Sequence, residues 1–127
     1  MNAKAVADAV AELLVGNADL AVTVLACGER WQKPDADDGD LRFAAEDLLA
    51  AGAILSYLPD NLNRSPEAKA AVAAFHAAHG DLLRQLRECG SGVELIARGY
   101  PGDVDEAAAM DTVSVAPMLR DGGFARL

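Results

Sequence analysis

The chain of 127 residues fits one domain, 1–127, and its 52% hydrophobic content permits a core, but alanine supplies much of that fraction and aromatics only 5%, so the core expected is thin. A net charge of −9 argues against nucleic acid or an anionic membrane surface as partner, since both need a basic face. Two cysteines, Cys27 and Cys89, are too few for a disulfide framework, no stretch approaches the ~20 apolar residues of a membrane span, and acids interrupt the N-terminal MNAKAVADAVAELL where a signal peptide would run apolar, so the expectation is a soluble cytoplasmic protein with reduced thiols and no membrane partner.

In chain order, residues 2–15 have Val6, Val10, Leu13 and Leu14 at helical spacing, with Asn2 to cap the start and Gly16-Asn17 to end it. Residues 20–26, LAVTVLA, are short, β-branched and apolar throughout, the pattern of a strand buried on both faces of a parallel sheet. Residues 27–40 form a polar loop carrying Pro34 and four aspartates, Asp35, Asp37, Asp38 and Asp40. A second helix is expected from Leu41 to Leu58, stopped by Pro59. A third opens on Ser65-Pro66-Glu67, with Gly80 as a break and a continuation through Leu82 to Glu88. Ser91-Gly92-Val93-Glu94 has the form of a capping box for a short helix ending near Gly99. A further helix is expected over 102–110 and a strand over 112–118, and Gly122-Gly123 closes the tail. The fold class is therefore α/β, with helix-rich layers against a small, mostly parallel sheet that is incomplete in this chain. Two strands do not make a stable sheet alone, so further strands are expected from another segment or another subunit.

Three stretches can carry chemistry, and each has a plainer competing reading. Val24 to Arg30 runs a buried strand into a Cys27-Gly28 turn, and ligands sit at the C-terminal ends of strands in open α/β sheets; the competing reading is a polar loop. Glu46 and Asp47 stand near the start of the second helix, where one carboxylate can hold a hard divalent cation or where both simply complement the helix dipole. Neighbours on a helix diverge by ~100°, so the two do not share one ion symmetrically. Ser91-Gly92 can offer backbone N–H groups to an anion or act only as a cap, with Asp103 and Asp111 as solvated acids further on. Arg30, Lys33, Arg42 and Arg98 are the candidate counter-charges for an anionic substrate. His76 and His79 lie three apart and could face one metal in principle, but no Cys or acidic ligand accompanies them at close spacing, so a metal site is not expected there. Cys27 and Cys89 read as small hydrophobes before nucleophiles.

Taken together, Asn2-Ala3-x-Ala5-Val6, the strand leading to Ala26-Cys27-Gly28, Phe43-x-x-Glu46-Asp47-x-x-x-Ala51-Gly52-Ala53, Ser91-Gly92-x-x-Leu95-x-x-x-Gly99, Asp103-Val104, and Asp111 with Pro117 and Asp121-Gly122 resemble the C-terminal half of the 2-phosphosulfolactate phosphatase family. The resemblance implies an α/β hydrolase that uses Mg²⁺ to release phosphate from 2-phospho-3-sulfolactate, a step toward coenzyme M, or from a similar small anionic phosphate ester. The family motif it carries over falls on Cys27, Gly28, Glu46, Asp47, Ser91, Gly92, Asp103 and Asp111; the expectation is that Glu46 or Asp47 is the catalytic, metal-binding carboxylate, with Cys27, Gly28, Ser91 and Gly92 at the substrate and Arg30 or Arg42 clamping its phosphate or sulfonate. Family members are longer and carry, in their N-terminal half, an Asp-x-x-Arg-Ala-Thr-type segment that has no match here. The rival expectation is thus a catalytically incomplete domain that needs that half or a homo-oligomer.

Overall fold

The computed structural model describes residues 1–17, 19–31 and 39–126, leaving Lys33, Pro34, Asp35, Asp37 and Asp38 outside the described residues. Helix α1 spans Ala3–Leu14 and turns Ala3 and Ala7 into the interior. Its start is secured from a distance: the Lys4 N–H donates to Asp111 Oδ1 at 2.7 Å. The Asn2 side chain makes no cap and instead donates to the Val115 carbonyl at 2.6 Å. Gly16, at φ +76°, ends the helix as its sequence foretells.

The segment 20–26 joins no strand ladder. The expectation of a strand buried on both faces is corrected: Leu20, Val22 and Leu25 are exposed, and none of the backbone groups of 21–26 bonds another backbone group among the described residues. A strand is a property of a pair, and no described segment forms a ladder with this one.

A hairpin comes next in the chain: β1 (Glu29–Arg30) pairs antiparallel with β2 (Leu41–Arg42), Glu29 opposite Arg42 and Arg30 opposite Leu41. The Trp31 N–H extends the ladder to the Asp40 carbonyl at 3.0 Å. Leu41 and Arg42 therefore do not begin the second helix, because their backbone groups are spent on the ladder.

Helix α2 starts four residues later, at Ala45, and runs to Tyr57 with Glu46 and Asp47 in its first turn, where acids oppose the positive helix end. Helix α3 (Pro66–His79) begins where the sequence signals it, the Ser65 hydroxyl accepting the Ala68 N–H at 3.2 Å and Pro66 occupying the first helical position. The two helices cross closely at Gly52, where a Cβ would lie 2.1 Å from the Ala71 carbonyl oxygen. Ala3, Ala53 and Phe75 pack together with Met1, Ile54 and Met110 against them, so one aromatic ring fills the space between two alanines and longer aliphatic side chains.

Past Gly80 the chain forms α4 (Leu82–Glu88), α5 (Gly90–Ala97) and α6 (Pro101–Ala108), which pack on one another. Leu49 of α2 and Ala78 of α3 join Leu82, Leu86 and Val104 in one buried cluster, tying this triplet to the long helices. The chain then reaches a second hairpin, β3 (Pro117–Arg120) and β4 (Gly123–Arg126). Its two-residue turn has positive φ at both positions, Asp121 at +50° and Gly122 at +80°, as tight hairpins require. The strand expected over 112–118 thus enters a ladder only at Pro117, and the Asp-Gly pair is a hairpin turn and not the start of a tail. Among the described residues the ladders are small and antiparallel; the α/β class with a helix-rich body stands, and the parallel sheet does not form.

Candidate functional site

The first turn of α2 sits against the Cys27-Gly28 turn, and one hydrogen bond defines the junction. The Gly28 N–H donates to Asp47 Oδ2 at 2.7 Å. Gly28 has φ +76°, and a Cβ there would stand 2.7 Å from the Arg42 carbonyl oxygen, so only glycine fits between β2 and the helix. Asp47 is committed to holding this turn. Glu46, its neighbour, points elsewhere, as helical geometry requires.

Glu46 opens onto a cleft of about 240 Å³. Glu29 and Arg30 of β1 form one side, and Cys89, Ser91, Gly92, Glu94 and Leu95 form another. Arg98 and Asp103 complete the polar lining, and Leu86, Val104 and Ala107 form an apolar floor. Arg30 is oriented by a hydrogen bond from Nη1 to the Gly39 carbonyl at 2.9 Å, and Arg98 reaches Glu94 at 3.7 Å, one helical turn back.

Cys89 stands where α4 gives way to α5 and supplies the cap for the latter: its Sγ accepts the Gly92 N–H at 3.4 Å. The helix begins at Gly90, earlier than the expected capping box at Ser91, because the thiol takes the role assigned to the serine hydroxyl. Gly92 is buried with its N–H aimed at that sulfur, and a Cβ there would collide with the Leu86 carbonyl at 1.8 Å. Its backbone donor is therefore not presented to a ligand. The thiol also lies 3.1 Å from the Leu86 carbonyl and 3.6 Å from Glu46 Oε2. Burial, reinforced by the charge of Glu46 against the opposing pull of the Gly92 N–H, lifts the Cys89 thiol above its ordinary pKa. It stays a neutral thiol near pH 7.

Arg42 occupies a different position. Its side chain is only 8% exposed, its Nη2 is 3.0 Å from Glu94 Oε2 and 3.4 Å from Ser91 Oγ, and the guanidinium lies 5.0 Å from the centre of the Trp31 ring. Such a stacked, paired guanidinium braces the hairpin against α5. Cys27, Gly28 and Arg42 line a neighbouring depression of about 270 Å³ with Leu41 and Phe43. The structure thus brings Glu46, Arg30, Ser91 and Gly92 to one cleft, sets Cys27, Gly28 and Arg42 beside it, and uses Asp47 as the tie. Asp111 is remote from both; at φ +52° it caps α1 and accepts the Tyr57 hydroxyl at 2.8 Å. That bond, with some burial and the carboxylate charge, raises the Tyr57 pKa. His76 and His79 are exposed on α3, with their rings near Phe75.

Glu29, Cys89 and Glu94 are cleft residues that the sequence pattern does not place in a site. The signal for Glu29 is its place in the 24–30 stretch and that for Glu94 its spacing of four from Arg98; Cys89 carries none. Among the described residues no three His, Cys, Asp or Glu side chains are grouped to hold a metal ion. Of the two carboxylates expected to bind one, Glu46 faces the cleft and Asp47 does not. No helix among the described residues is long and apolar enough to cross a membrane.

Comparison with known proteins gives a consistent picture. The family model described as 2-phosphosulpholactate phosphatase matches residues 1–122. A protein of Gloeobacter violaceus named probable 2-phosphosulfolactate phosphatase is 36% identical over 101 residues, covering 80% of this chain and 39% of the relative. A protein of the same name from a Synechococcus species is 39% identical over 79 residues, covering 59% of this chain and 33% of the relative. The chain thus spans well under half the length of these curated relatives. No solved structure matches.

Proposed function

Because the chain belongs to the 2-phosphosulpholactate phosphatase family, we propose that its 240 Å³ cleft serves the magnesium-dependent hydrolysis of 2-phospho-3-sulfolactate or a similar small anionic phosphomonoester. The observation that carries this reading is the charge layout of the cleft. Two guanidiniums, Arg30 and Arg98, converge on it alongside four carboxylates, Glu29, Glu46, Glu94 and Asp103. Arg42 neutralises Glu94 from behind, leaving three acids against two cations. A multiply charged phosphate ester enters such a cleft favourably only together with a cation. Mg²⁺ is commonly bound through one or two carboxylates, with waters and substrate oxygens filling the remaining positions, and Glu46 is the residue that would hold it. When bound, the ion supplies charge neutralisation and a polarised water.

The chain's own residues do the rest. Arg30 and Arg98 bind the two anionic ends of the substrate, a planar donor fork suiting phosphate and sulfonate oxygens. Ser91 Oγ, held near Arg42, lends a hydroxyl to the cleft wall. Asp47 fixes the turn that leads into β1 and so sets the position of Arg30. The apolar floor of Leu86, Val104 and Ala107 thins the water around the ester. The reaction belongs in the cytoplasm, where free thiols such as Cys27 and Cys89 persist.

The test is phosphate release from small phosphomonoesters by this chain with and without Mg²⁺. We expect Mg²⁺-dependent turnover that Glu46→Gln lowers by about a hundredfold or more, and that Arg98→Ala weakens mainly through KM. Turnover unchanged by Glu46→Gln sinks the assignment. A second reading, a segment that needs further polypeptide before it is catalytic, is favoured by the short span of the relatives that the chain covers. A chain inert until the remainder of a relative is supplied selects it.

A further inference from the structure

The segment 20–26 is the most anomalous part of the molecule. Its seven residues contain no charge. Leu20 is 55%, Val22 42% and Leu25 76% exposed, which places branched apolar side chains in water where a core strand would bury them. From 21 to 26 no backbone group bonds another among the described residues. Beneath it the structure is loosely filled. Two open grooves, of about 480 and 440 Å³, run between the segment and the α2–α3 pair and share Val22, Leu55, Ser65 and Ala68. N–H and C=O groups without a backbone partner among the described residues, exposed apolar side chains and an underfilled layer against helices coincide, and one kind of object satisfies all three: another extended strand, laid beside 20–26 over α2 and α3, with apolar residues facing the helices.

We propose that residues 20–26 form an edge that accepts a β-strand from the portion of the family architecture lying outside this chain's matched region. Two observations favour that occupant over a second copy. The relatives devote more than half of their length to polypeptide that this chain does not match, 39% and 33% being covered, so they carry further chain from which such a strand can come. A second copy would instead bring another net charge of −9 against the first, which opposes close association. Recognition through this edge is main chain to main chain, with Val22 and Leu25 setting register. It rests on family membership and geometry and is independent of the cleft chemistry.

The experiment co-expresses this chain with a separate polypeptide made of the Gloeobacter relative outside the matched 101 residues. We expect the two to co-purify, and the amides of 21–26, fast to exchange with deuterium in the isolated chain, to slow by about a hundredfold or more in the complex. Val24→Pro, which deletes a ladder donor, and Leu25→Glu, at a side chain already in water, each reduce capture by about tenfold or more; Arg84→Ala, which lines neither groove, leaves it intact. Three results overturn the proposal: amides 21–26 already slow in the monomeric chain, no capture when circular dichroism shows both partners folded, or a dimer of this chain alone protected at 21–26. Capture of a Glu46→Gln chain at the wild-type level separates this outcome from any failure of the cleft reading.

Discussion

The α2–α3 crossing and the segment 20–26 are built from similar material, small and apolar residues without charge, yet they come to opposite ends. At the crossing, Gly52 lets the Ala71 backbone approach so closely that no side chain fits, and Ala53 and Phe75 are buried with Ala3. Along 20–26 the apolar side chains stand in solvent. The helices satisfy their own backbone and need only a surface to pack on. The strand must borrow its hydrogen bonds from a neighbour, so the same hydrophobicity yields a core in one case and an open edge in the other.

Substitutions at the crossing test the buried half of that contrast most severely. Gly52→Val is expected to abolish cooperative unfolding at room temperature or to lower stability by more than about 3 kcal/mol, since backbone at 2.1 Å cannot yield; a urea transition matching the wild type would show that the helices do not meet there. Phe75→Ala should cost about 3 kcal/mol by the same measurement, because removing the ring leaves a cavity beside Ala3 and Ala53.

Gly28 is the tie between the two regions. Gly28→Ala combines a left-handed φ with a 2.7 Å approach to the Arg42 carbonyl, and a loss of about 1–3 kcal/mol is expected. Asp47→Ala, which removes the acceptor of the Gly28 N–H, should cost about 1 kcal/mol. A Gly28→Ala chain of wild-type stability would detach the turn from α2. On the open side, Leu25→Glu should move the unfolding midpoint by no more than about 0.5 kcal/mol equivalent and should improve solubility; a large loss would mean that the segment is buried after all.

The two thiols sharpen the comparison at the smallest scale, one just past the exposed segment and the other in the packed body where α4 meets α5. Exposed Cys27 should be alkylated by iodoacetamide well before Cys89 at pH 8. Because folding raises the Cys89 pKa, the folded chain holds that proton more tightly than the unfolded one. Its contribution is complete below the ordinary thiol pKa of ~8.5 and fades as pH rises through the folded value. Stability should therefore slope downward above about pH 8.5 in the wild type and less so in Cys89→Ser. Equal slopes would remove the thiol from the interior.

Much of the helical framework is legible in the sequence because its signals are local. Ser65 with Pro66, Gly80, and Gly16 after an amphipathic run all act within a few residues, and the observed helices begin and end near them. The start of α2 is not, because Leu41 and Arg42 fit a helical stripe, while a hairpin partner at 29–30, across the acidic loop, claims their backbone. The cleft is half legible. Glu46, Asp47 and Arg30 stand out as charges near a turn, but nothing in the spacing says that Asp47 holds Gly28 while Glu46 faces Cys89, nor that Arg42 turns inward onto Trp31 and Glu94.

The amino-acid order alone determined the family motifs, the acidic surface charge, the thin alanine core and most helix boundaries, since each depends on composition or on interactions a turn or two apart. Tertiary structure decided which carboxylate opens on the cleft, that a cysteine caps α5, that Asp111 caps α1 from more than a hundred residues away, and that the apolar 20–26 joins no ladder among the described residues. These outcomes turn on partners distant in sequence, and only the folded chain states which groups meet.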